Sequence, residues 1–201
     1  LKYKKRLDRK ILYLTGKDYI ILRKEFWRVP FKRIHRNIRE VLITFGGKIY
    51  RDFMEEILEF LNKRFADFTY HVVLNSDFKR IPSFPHSRFR FYDGLSASDM
   101  RDLMLKCDFC ISGGGQTLYE LARVGVPTIG VRFAENQRKN LEEFHKKGFL
   151  EYIGGCNDKK IIEKLEDVLI SFIPGEGRKK RKAIGKSLVD GRGIRRIVEV
   201  L

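Results

Sequence analysis

The sequence predicts a doubly wound α/β domain over residues 41–201. Three observations carry that prediction. Short apolar runs rich in β-branched and aromatic residues alternate with stretches of helical periodicity. Two of those runs end in glycine turns, Gly46-Gly47 and Gly113-Gly114-Gly115. The chain is 43% hydrophobic over 201 residues, enough to bury one substantial core and to exclude wholesale disorder.

The elements follow in order. Val41-Leu42-Ile43-Thr44-Phe45 reads as a buried strand closed by Gly46-Gly47. Phe53, Ile57, Leu58 and Leu61 recur at helical spacing and predict an amphipathic helix over 51–65. Tyr70 to Leu74 is a second strand, and Pro82, Ser83 and Pro85 mark a loop. Phe89 to Tyr92 is a third strand. Ser96, with Asp99 three residues on, opens a helix that runs through Leu105. A fourth strand spans 108–112 and a helix 116–124. A fifth strand spans 127–131, and a helix over 135–147 closes at Gly148. Two or three further helices follow from about Asp158. Strands alternating with helices at this spacing mean βαβ units and a mostly parallel, Rossmann-like sheet covered on both faces. Residues 1–40 read as a connecting segment that packs on this domain.

The formal charge of +16 is uneven. Residues 1–40 carry +10 and residues 177–201 carry +7, while the middle carries −1. A nucleic-acid-binding fold more often spreads basic residues over its binding face, so nucleic acid is an unlikely partner and Arg178–Lys182 reads as a solvated helix face. Three cysteines are too few for a disulfide scaffold, which makes a reducing cytoplasm the expected location. No run approaches the ~18 apolar residues that a membrane span needs. The chain begins with Leu rather than Met, a hint that it is a fragment.

The segment Ile111 to Glu120 is the most informative for chemistry: a strand, three glycines and a helix start. Glycines let backbone N–H groups approach an anion, and the helix N-terminus adds free N–H groups and the positive end of its dipole. A diphosphate is the natural occupant, with Thr117 as an added hydroxyl donor. Glu120, one turn into the helix, is placed to accept hydrogen bonds from two sugar hydroxyls. The alternative is an ordinary tight turn with Glu120 favouring the dipole. Gly46-Gly47 lies at the carboxyl end of another strand, where open α/β sheets bind ligands. Asn136 and Gln137 open a later helix and are candidates for sugar hydroxyl or acetamido groups, or for plain N-capping.

Other patterns fail. Gly185-Lys186-Ser187 lacks the upstream glycine and strand of a phosphate-binding loop. Gly191-Arg192-Gly193 lacks its third glycine and a preceding strand. Cys107 and Cys110 have no second pair and read as buried thiols. His35, His71, His86 and His145 form no ligand spacing, and no Asp-x-Asp occurs. No metal and no cofactor are expected.

The block from Ile111 to Gln137 resembles the C-terminal domain of GT-B nucleotide-sugar enzymes of the MurG kind. More narrowly, Gly16–Phe26 and Val189–Val198 resemble the inter-domain stretch and the ending of the PseG family, hydrolases that remove UDP from UDP-2,4-diacetamido-2,4,6-trideoxy-β-L-altropyranose. The resemblance implies UDP or a UDP-sugar as partner. It places Gly46, Gly47, Gly114, Gly115, Gln116 and Thr117 at the diphosphate and Glu120 at the ribose. It sets the backbone of Phe91 and Tyr92 at the uracil, and Asn136 and Gln137 at the sugar or phosphate. Lys48-Ile49 and Asn75 depart from the family pattern and bear on the sugar. The resemblance also implies a catalytic histidine on an N-terminal domain that this chain lacks, so the chain alone is expected to turn over little or no UDP-sugar. A glycosyltransferase donor domain, a spore-coat polysaccharide enzyme and a non-catalytic binding module remain alternatives.

Overall fold

The computed structural model describes residues 12–46, 51–74 and 88–201. Among these residues six strands form one sheet: β1 (Glu40–Thr44), β2 (Thr69–Leu74), β3 (Phe89–Asp93), β4 (Phe109–Ser112), β5 (Thr128–Arg132) and β6 (Leu150–Gly155). Every pairing is parallel and the order is β3-β2-β1-β4-β5-β6. Parallel strands buried on both faces lose the polar alternation of a one-sided sheet, which is why β1 and β4 read as continuous apolar runs. Val41 and Ile43 point to one face and Leu42 to the other.

Helices α1 (Arg51–Arg64) and α5 (Ile161–Phe172) cover the Val41 face through Phe53, Ile57, Leu61, Leu165 and Phe172. Helices α2 (Ala97–Lys106), α3 (Thr117–Val124) and α4 (Arg138–Lys146) cover the Leu42 face. Ser96 caps α2, its Oγ accepting from the Asp99 N–H at 3.1 Å. Helix α6 (Gly175–Leu188) lies outside α3, and α7 (Gly193–Val198) follows it. None of these helices is long and apolar enough to cross a membrane.

Two elements differ from the sequence expectation. The helix expected over 135–147 starts as a 3₁₀ turn, Glu135–Gln137, before α4 proper. Strand β6 falls where the sequence pattern predicts no strand. It is a sheet edge, half exposed, ending in two glycines and shifted in register against Gly130/Val131, so it lacks the apolar run that marks the inner strands.

Residues 12–39 form a strap with two short 3₁₀ turns, laid across the Leu42 face from one end of the sheet to the other. Leu22 and Phe26 are buried in the core there. At the far end Lys32, itself buried, donates from Nζ to the carbonyls of Met104 (3.1 Å), Leu105 (3.0 Å) and Cys107. It thereby caps the C-terminus of α2, whose last carbonyls have no intrahelical partner. Nearby, Asp108 accepts from the backbone N–H groups of Arg39 and Glu40 and lies 2.9 Å from His35 Nδ1. Arg178, expected on a solvated helix face, is instead fully buried, because its guanidinium donates to the carbonyls of Phe172 and Arg36.

Burial pulls the Lys32 ammonium down to about 8, while Asp108 nearby pushes it up. The unfolded chain therefore binds more protons than the folded one from about pH 8 up to the ordinary lysine value near 10.4. Stability carried by this group rises with pH across that window. Lys32→Met should abolish that rise and, by orphaning buried carbonyls, cost about 1–3 kcal/mol at pH 7. Urea unfolding of both proteins at pH 7 and pH 9.5 measures both effects.

Candidate functional site

Strand order reverses between β1 and β4. In doubly wound sheets, a crevice opens at the carboxyl ends of the strands at such a switch. Here it is a cavity of about 500 Å³ lined by Phe45 and Gly46 after β1, and by Ser112, Gly113, Gly115, Gln116 and Thr117 after β4. Phe133, Ala134 and Gln137, after β5, complete it. Gly46 takes φ 62°, the left-handed conformation that favours glycine. Phe45, Phe53 and Phe133 pack ring against ring beside it, with centroids 4.6–5.8 Å apart.

The glycines of the second turn divide the labour. Gly115 and Thr117 face the cavity, and a Cβ on Gly115 would meet nothing within 4 Å. Gly114 is buried behind them, and its N–H points to Gln137 Oε1 at 3.4 Å. The same Gln137 oxygen accepts from the Phe133 N–H at 3.0 Å, so Gln137 ties the β5 loop to the glycine turn. Gln116 lines the cavity, but its Nε2 donates to the Ile21 carbonyl of the strap at 2.7 Å. With the first-turn N–H groups and dipole of α3 beside it, the cavity can hold an anion against backbone donors.

The remaining expected positions are placed as follows. Gly47 lies outside the described residues. Asn136 is exposed and does not line the cavity. Phe91 packs in the core on the α1 side. Tyr92 turns to the α2 side, its hydroxyl 2.8 Å from Nδ1 of buried His71, whose Nε2 meets Glu40 at 2.7 Å. Just beyond Tyr92, a smaller recess of about 290 Å³ opens among Val73, Leu74, Asp93, Gly94, Leu95, Met100 and Arg23.

Glu120 is only 2% exposed, and its carboxylate is occupied. Arg23 donates from Nε to Oε1 (2.7 Å) and from Nη2 to Oε2 (2.8 Å), a two-bond fork. Arg23 itself is half exposed and stands over the ring of Phe26. The hydrogen bonds to Glu120 hold its guanidinium charge more tightly than usual. No spacing rule links residues 23 and 120, and the sequence pattern assigns Arg23 no role.

A family model, the glycosyltransferase family 28 C-terminal domain, matches residues 40–188. The bifunctional pseudaminic acid cytidylyltransferase and UDP-2,4-diacetamido-2,4,6-trideoxy-β-L-altropyranose hydrolase of Helicobacter pylori is 27% identical over 95% of this chain. The spore coat polysaccharide biosynthesis protein SpsG of Bacillus subtilis is 25% identical over 92% of it. This chain spans 33% and 57% of the length of those two relatives. The crystal structure of Acinetobacter baumannii MurG superposes with a TM-score of 0.64 at 13% identity, covering 87% of this chain and 54% of MurG, a likeness of fold. With a GT-B-like sheet, a glycine turn at its switch point and a family match from β1 to the end of α6, this chain belongs to the glycosyltransferase family 28 C-terminal domain family.

Proposed function

We propose that this domain binds UDP and UDP-sugars and forms the nucleotide-holding half of a UDP-sugar hydrolase in surface-polysaccharide synthesis. One observation carries the reading: Gly46, Gly115 and the head of α3 converge on one cavity at the strand-order reversal. The diphosphate lies against the turn after β4, the ribose hydroxyls meet Glu120, and the base lies towards the recess beyond Tyr92. The sugar projects past Ala134 and Gln137. In the reaction UDP is the leaving group, and backbone N–H groups with the α3 dipole stabilise the charge that develops on its phosphate. A group on a second domain, the histidine that the family resemblance implies, activates the water.

Support for hydrolysis comes from the H. pylori relative, aligned along nearly the whole chain. The glycosyltransferase name of the family favours a second reading, in which the same half presents the donor to an acceptor hydroxyl. Both readings require UDP binding. UDP at a hundredfold excess over its Kd should stabilise the chain by about 2.7 kcal/mol, seen as a rise in Tm. No shift with millimolar UDP would overturn the assignment. Hydrolase and transferase separate on whether a protein that pairs this domain with its second half releases free sugar or requires an acceptor.

A further inference from the structure

The carboxylate assigned to the ribose is not open to a ligand. Glu120 is 2% exposed, and both of its oxygens hold the Arg23 guanidinium. Arg23 is differently placed. Its side chain is 46% exposed, it sits on the strap rather than on a regular helix or strand, and it forms one wall of the recess beyond Tyr92. A fork of two charge-assisted hydrogen bonds is the geometry that two neighbouring hydroxyls of a ribose would adopt on a carboxylate.

We propose that Arg23 is a specificity-determining residue: it is the resident partner of Glu120, and a nucleoside diphosphate must displace it before its ribose hydroxyls reach the carboxylate. The proposal rests on the ribose role of Glu120. The exchange trades two hydrogen bonds from a guanidinium for two from hydroxyls, so the ribose adds little net affinity while Arg23 competes. Anchoring then rests on the diphosphate and the glycine turn. Displacement is feasible because only Arg23, not Glu120, has solvent to move into. Neighbouring contacts keep the rest of the strap in place: Gln116 holds the Ile21 carbonyl, and Arg123 donates to the carbonyls of Phe26 and Trp27.

The test compares UDP with 2′,3′-dideoxy-UDP, ligands equal in charge and base, by calorimetric titration of the full chain. In the parent protein the two should differ little. In Arg23→Gln the preference for UDP should grow by about threefold or more, the scale of a partly exposed ion pair. A preference that stays the same or falls overturns the proposal, and a fall would make Arg23 a simple positioning group. Arg23→Gln leaves a buried carboxylate without its cation and is the variant that risks misfolding. Arg23→Lys keeps the charge without the fork and should show a smaller increase in the same preference. Failure of the parent protein to bind UDP at all would instead sink the nucleotide reading, a distinct outcome.

Discussion

Replacing Gly193 with alanine should destabilise the chain by roughly 3 kcal/mol or more. Gly193 opens α7 where the end of the chain passes under the strap. A Cβ there would lie 2.1 Å from the carbonyl oxygen of Ile20, 2.7 Å from its carbonyl carbon and 2.9 Å from its nitrogen. Those atoms are backbone and cannot swing aside like the tip of a side chain. Relief requires α7 or the strap to lift, which strains the hydrogen bond from Arg196 to the Asp18 carbonyl and the seat of Ile20 in the core. The displaced segment carries Ile21 and Arg23, so the variant should also alter UDP binding from outside the cavity. Gly177→Ala is the control. A Cβ there meets nothing within 4 Å, and the change lies inside α6, so it should be neutral or stabilising by up to ~1 kcal/mol. Urea unfolding of the two variants decides the matter. Equal stabilities would mean that the α7–strap approach is looser than described.

Gly114→Ala should weaken UDP and pyrophosphate alike, by about tenfold or more, and cost about 1–3 kcal/mol of stability. Its Cβ would stand 2.7 Å from Leu141 Cγ and 2.9 Å from both Cβ and the carbonyl oxygen of Gln137. Gln137 is the tie between the β5 loop and the glycine turn, so pushing it away loosens both walls of the cavity. The loss is common to both ligands because it distorts the diphosphate end, which they share. Gly115→Ala meets no such neighbour and should be tolerated by the fold while crowding the ligand. Titrating both ligands against both variants, alongside their melting temperatures, separates packing from recognition.

What reading the sequence could reach depended on how local the signal was. Strands β1, β2, β3, β4 and β5 announce themselves as apolar runs, and β1 and β4 end in the glycines that bound the cavity. The Ser96 cap and the Gly148 stop are also local, each satisfied within a few residues. Strand β6 is hard to read because only Leu150 and Ile153 of its six residues are buried, one on each face, and a bulge and two glycines break its pattern. The division of Gly113, Gly114 and Gly115 into packing and lining roles depends on Phe45, Leu141 and Gln137, residues distant along the chain. The Arg23–Glu120 fork joins residues 97 apart, and Lys32 finds its carbonyls 72 to 75 residues away. Such partners are set by topology, and no periodicity reports them.

The strap also decides where this module can be cut. The matched family region begins at residue 40, and an excision there would look clean on the sheet alone. It would uncover the seats of Leu22 and Phe26, leave Glu120 a buried anion without a cation, and strip the end of α2 of its ammonium. The unit fit for grafting onto another partner, or for study by itself, therefore includes the strap that carries Leu22, Arg23, Phe26 and Lys32. Chimeras joined inside 20–39 should express poorly, even though every strand of the sheet is intact.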